Sequence, residues 1–109
     1  MKISELVEQT GLKSVNAYKD REVEGVYISD MVSDIITSAR RNCVLITLQT
    51  HKSLIAAANL VAAAMIVIVK DRKPSDDVVE LATKTGIAVF TSGLDTWKFA
   101  KKLTQLGLE

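Results

Sequence analysis

Aromatic side chains are scarce in this chain: two Phe, two Tyr and one Trp make up 5% of its 109 residues. With so few rings the core has to be packed from Val, Ile, Leu and Ala. There is one cysteine, Cys43, so no disulfide can close within the chain and a disulfide-stapled secreted scaffold is excluded. Neither sign of charge dominates: fourteen Lys and Arg against thirteen Asp and Glu leave a formal charge of +1. That balance supplies no general attraction for nucleic acid or an anionic membrane, and neither is expected as a partner. No apolar run is long enough to span a bilayer and no basic-then-apolar leader opens the sequence, so a cytoplasmic protein is expected. There is a single histidine, no G-x-G-x-x-G and no P-loop, which leaves a Rossmann dinucleotide site or a kinase activity without residues.

What is present is 48% hydrophobic residue content concentrated in short blocks. Three of them, 43–47 (CVLIT), 65–69 (MIVIV) and 87–91 (IAVFT), are apolar at nearly every position. A strand apolar on both faces belongs to a parallel sheet covered by helices on both sides. Between these blocks lie helix-like stretches at nearly equal intervals, the signature of repeated βαβ crossovers. The expected fold is therefore a single-domain α/β protein over 1–109, a three-layer α/β/α sandwich with a mostly parallel central sheet of about five strands.

Local signals place the remaining elements. Residues 3–9 read as a short helix with Ser4 as its cap and Gly11 as a left-handed terminator. Residues 14–18 and 25–29 read as weaker strands flanking the charged turn 19–22, an edge hairpin or bulged pair. Asp30 looks like the cap of a helix carrying Met31, Val32, Ile35, Ile36 and Ala39 at helical spacing, with Arg40 and Arg41 at its C-terminal end. Residues 53–64 form a helix apolar nearly all round, which should bury two faces and pair with a second copy of the chain through what is left, together with the 30–41 helix. Pro74, Ser75, Asp76 and Asp77 mark a helix start and Gly86 its end, and a last helix begins near Asp95.

Ligands of open α/β sheets bind outside the carboxyl ends of the strands. The polar residues that follow a strand and precede a helix are Asp30, Gln49, Thr50, His51, Thr91 and Ser92, and these form the candidate ligand-binding set. Each has a plainer role beside that one: His51 as a turn or capping residue, Thr91 and Ser92 as a hydroxyl cap, Cys43 as a small buried hydrophobe. Lys70, Arg72 and Lys73 form a basic turn at the same end of the sheet, either a solvated loop or an anion-steering element. The carboxylates of Asp20, Glu22, Asp30 and Asp34 lack the density and the glycine of a hard-cation loop, so no metal is expected. Residues 3–12 have the look of the first helix and turn of a helix-turn-helix, but no basic recognition helix follows.

The pieces GVYISDM at 25–31, LIT at 45–47, QTH at 49–51, PSDDVVELATKTG at 74–86, IAVFT at 87–91 and LDT at 94–96 resemble, in order and spacing, the DRTGG domain family. The likeness runs from about Ile3 to Leu103. That family occurs as a module inside phosphotransacetylases and CBS-containing pyrophosphatases and as small free-standing proteins, and it is similar to the N-terminal domain of HPr kinase. Its signature residues are replaced: His51-Lys52 stands where the family has Asp-Arg, and Val69-Lys70-Asp71 where it has Thr-Gly-Gly. The resemblance implies a non-enzymatic regulatory or interaction domain without a cofactor, one that senses a small anionic, nucleotide- or phosphate-like ligand or docks on a partner enzyme. The alternative is a small phosphate-handling enzyme using His51, Thr91 and Ser92.

Overall fold

In the computed structural model, which describes residues 1–109, the three apolar blocks lie side by side as parallel strands β3 (Cys43–Thr47), β4 (Met65–Ile68) and β5 (Ala88–Thr91). A fourth strand, β2 (Gly25–Ile28), joins them in parallel beside β3. A two-residue strand, β1 (Lys13–Ser14), runs antiparallel along β5. The sheet order is β1-β5-β4-β3-β2, so from β2 to β5 every strand is laid next to its predecessor in one direction.

Right-handed crossovers that always advance the same way put all their helices on one face. Those helices are α2 (Val32–Ser38), α3 (Ser53–Leu60) and α4 (Asp76–Thr85). Their buried side chains, among them Ile35, Leu54, Ile55, Val78 and Ala82, cluster with Leu45, Ile66, Ile68 and Val89 of the sheet. The opposite face is covered by α1 (Ile3–Thr10) and α5 (Thr96–Gln105). Ile3, Leu6, Phe99 and Leu103 of these helices pack there on Val44, Ile46, Met65, Val67 and Phe90. Alternate residues of each strand feed alternate cores, which is why the strands are apolar throughout. The three-layer arrangement expected from the sequence is the one found. No helix is long and apolar enough to cross a membrane.

Several local expectations are corrected. The edge hairpin does not form: β1 and β2 lie at opposite edges of the sheet. The charged stretch between them crosses the sheet at the amino ends of the strands, its backbone paired to the start of the chain by Ile3 N–H to Arg21 O (3.0 Å) and Val23 N–H to Met1 O (2.8 Å). Tyr18, read as strand, instead lays its ring edge-on against Phe90 at 5.2 Å. Ser4 does not cap α1, whose N-cap is Lys2; its hydroxyl donates to Asp20 instead (2.6 Å). Asp30 does not cap α2, whose N-cap is Met31. Helix α2 also ends at Ser38, leaving Arg40 and Arg41 beyond it, and α3 ends at Leu60 rather than Ala64.

Helix α3 lies between α2 and α4 in the layer. Its Leu54, Ile55, Ala57 and Ala58 are buried within the domain, so only Ala56, Asn59 and Leu60 beyond its first turn face outward. Most of its apolar circumference is thus consumed internally.

Candidate functional site

The carboxyl end of β3 is organised by side chains standing in for backbone partners. Thr47 is buried, and its hydroxyl donates to Asp30 Oδ1 (3.0 Å) while accepting the Gln49 N–H (3.0 Å). Asp30 Oδ1 also takes the Leu48 N–H at 2.6 Å. These two donors at the end of β3 draw the Asp30 carboxylate away from α2, and the Met31 N–H is left to Ser29 Oγ (3.2 Å). Next along the chain, Gln49 Oε1 accepts the N–H groups of both Thr50 and His51 (3.1 Å each). His51 Nδ1 then accepts the Ser53 N–H (3.2 Å) and lies 3.1 Å from the Ser53 hydroxyl. With Nδ1 accepting that N–H, the ring's proton sits on Nε2. Asp30, Gln49, Thr50 and His51 thus belong to one hydrogen-bonded turn, and the histidine, one residue before the Lys52 N-cap, accepts the first N–H of α3.

Beside this turn the surface opens between α3 and α4. A groove of about 500 Å³ is walled by His51, Lys52 and Ser53 on one side and by Asp77, Glu80 and Lys84 on the other. Glu80 and Lys84 pair across one helical turn at 3.3 Å. An adjoining recess of about 390 Å³ shares His51, Lys52 and Asp77 and adds Gln49, Thr50 and Ser75. Ser75 is the N-cap of α4 in extended conformation, so the first N–H groups of that helix open beside the recess. The α4 residues carried no site signal in the sequence, because which face of α4 meets α3 is decided by packing.

Thr91 and Ser92 stand apart from this group. They line a separate groove of about 330 Å³ with Lys13, Lys102 and Asp71. The β4–α4 turn is fastened to the β5–α5 turn through Lys70 N–H to Leu94 O (2.8 Å) and Asp71 N–H to Ser92 O (2.9 Å). The Ser92 hydroxyl accepts the Leu94 N–H (3.2 Å), and the Asp71 carboxylate sits so close to Gly93 that a Cβ there would lie 3.2 Å from it. A crevice at strand ends forms where the strand order reverses, and this parallel array has no reversal. The six candidate residues therefore divide into two places at the same end of the sheet.

Lys70 and Asp71 both adopt left-handed backbone, with φ of 60° and 55°. These are the positions where the resemblance put consecutive glycines, the residue that takes this conformation without steric cost. No three of the chain's His, Cys, Asp and Glu side chains gather as a metal cage. Cys43 is buried, and that burial raises its thiol pKa, in keeping with a packing role.

Fold and turns together define an α/β/α domain whose four parallel strands ascend in chain order and whose far edge is closed by a short antiparallel strand. The DRTGG domain family matches residues 5–106, and the chain belongs to that family. It is similar, with a TM-score of 0.73 and 14% identity, to a crystal structure of the CBS and DRTGG domains from the regulatory region of Clostridium perfringens pyrophosphatase. That structure is a complex with the activator diadenosine tetraphosphate. The match covers 94% of this chain and 46% of that one. No curated protein matches the chain.

Proposed function

We propose that this chain is a non-enzymatic regulatory module that binds a small anionic ligand of nucleotide type at the turn after β3 and relays its occupancy to a partner enzyme. The observation that carries this reading is the mixed lining of the α3–α4 groove. Lys52 and the first N–H groups of α4 suit phosphate oxygens, while the Asp77 and Glu80 carboxylates suit ribose hydroxyls and exocyclic amines. The His51 turn fixes one wall before any ligand arrives, and preorganisation lowers the entropic cost of binding. A nucleotide activator on a regulatory region of the same fold supports the ligand class. Thr91 and Ser92, with Lys13 and Lys102 beside them, form a second, smaller anion-receptive place at the same sheet end. The reading includes self-association through the outer surface of α2 and α3, and a cytoplasmic setting.

One contact favours the enzymatic alternative: His51 Nδ1 lies 3.1 Å from Ser53 Oγ, within reach for a base and a nucleophile. That nitrogen is already engaged by the Ser53 N–H, and no hydrogen bond from a third group orients the ring. The geometry fits a helix cap better than an activated pair.

Amide shifts recorded during titration with diadenosine tetraphosphate, ATP and acetyl phosphate test the proposal. Changes centred on Gln49–Ser53 and Ser75–Asp77, with a rise in melting temperature, are expected. Lys52→Ala, which removes a charged contact and no internal bond, should weaken binding by about tenfold. Absence of binding, or changes confined to residues far from the strand ends, overturns it; phosphate release dependent on Ser53 would replace it with the enzymatic reading.

A further inference from the structure

The outer face of α5 packs against no other element of the fold, and of its side chains only Lys102 reaches a groove, the smaller one beside Thr91 and Ser92. Trp97, the only tryptophan in the chain, is 72% exposed there. Around it stand Lys98, Lys101 and Lys102, all exposed. Helix α5 contains no acidic residue within its span, and neither ion pair of the molecule involves these three lysines; the carboxylates beside them are Asp95, engaged as the helix N-cap, and Asp71 in the groove of Lys102. Lys101 sits one turn from Trp97 and Lys102 one turn from Lys98, which makes two adjacent rows on one helical surface. Lys13 extends the patch, since it shares a groove with Lys102. A chain with a net charge of +1 thus gathers three lysines on the helix face of its single exposed ring, with Lys13 beside the last of them.

We infer that this face is the docking surface for an acidic segment of a partner protein, with Trp97 as the anchor and the lysines as the charged rim. The inference rests on the reading of the chain as a regulatory module, though not on the nucleotide groove. Exposed tryptophan is the residue type most enriched among interface anchors, and like-signed rim charges select a partner of opposite sign and speed its encounter. A membrane fits less well, because the apolar side of α5, Phe99 and Leu103, is buried in the core and leaves only Trp97 to insert. Nucleic acid fits less well because the patch offers one ring for stacking and belongs to a nearly neutral molecule.

As the chain's sole tryptophan, Trp97 reports on its own surroundings. The intact protein is titrated with a synthetic peptide of repeated Glu-Glu-Leu, with oligothymidylate and with phosphatidylserine vesicles, following Trp97 fluorescence and backbone amide shifts. Saturable, salt-sensitive peptide binding with shifts centred on Trp97–Gln105 is expected. Both Trp97→Ala and the triple variant Lys98→Gln, Lys101→Gln, Lys102→Gln should weaken it by about tenfold or more, with unchanged melting temperature. Peptide binding that both variants retain, shifts centred elsewhere, no binding, or tighter binding of the oligonucleotide or the vesicles overturns the inference. A failed nucleotide titration would leave these outcomes unaffected, so the two readings fall separately.

Discussion

Thr47 is the one polar side chain fully enclosed by the sheet, and the turn after β3 depends on its hydroxyl. Thr47→Val keeps the shape but leaves the Gln49 N–H without an acceptor, at a cost of about 1–3 kcal/mol in a urea titration. Lys70 carries the opposite kind of cost: a side chain in left-handed backbone. Lys70→Gly should therefore raise the unfolding free energy by about 0.5–1 kcal/mol, visible as a higher urea midpoint at unchanged slope. Tyr27 and Asp34 provide a pH-dependent pair. The Tyr27 hydroxyl donates to Asp34 Oδ2 (2.7 Å), holding that carboxyl below the usual carboxylate range and lifting the phenol above the usual tyrosine range. The folded state thus favours ionised Asp34 and neutral Tyr27. The stability gap between the wild type and Tyr27→Phe should be full between those two ranges. It should shrink as pH falls through the folded Asp34 value, and again as pH rises through the folded Tyr27 value. Denaturation midpoints across pH check this.

Among the elements, the central strands owe their legibility to having both faces covered. Ile66 and Val89 have no solvent exposure, and a carboxylate there would be buried without a partner. Ile66→Asp or Val89→Asp should abolish cooperative unfolding in a domain of ordinary stability, about 5–15 kcal/mol. The edges were harder to read because their partners are distant in sequence. Residues 19–22 have turn composition, yet the chain at 21–23 pairs with residues 1–3, which no local pattern reveals. The edge beyond β1 is extended by a side chain: Asn16 donates to Ile87 O (2.7 Å) and accepts the Val89 N–H (3.0 Å), imitating a strand partner. The positional rule found the turn residues 30 and 49–51 because strand ends are visible in sequence. It could not find Asp77, Glu80 or Lys84, whose approach to His51 depends on how α4 lies against α3.

At the scale of the molecule, the side chains left over after both cores are filled decide how it meets others. Besides Trp97, the large apolar residues left exposed are Ile28, Met31, Ile36 and Leu60, the last at 69%. Met31 and Ile36 are carried on or beside α2 and Leu60 on α3, and these two helices are packed neighbours in the same layer. Burying these side chains between copies would remove apolar area that no intramolecular neighbour covers, and a two-fold contact is the commonest way of doing so. The all-round apolar character of α3 does not itself supply this surface, since its buried residues already serve the domain. The expected outcome is a dimer by light scattering at micromolar concentration, converted to monomer by the pair Ile36→Lys and Leu60→Lys. Both positions face solvent within one copy, so the melting temperature extrapolated to low protein concentration should stay the same. A wild type that remains monomeric, or a double variant that still pairs, would assign those four side chains to no self-contact and leave α5 as the surface through which this domain acts.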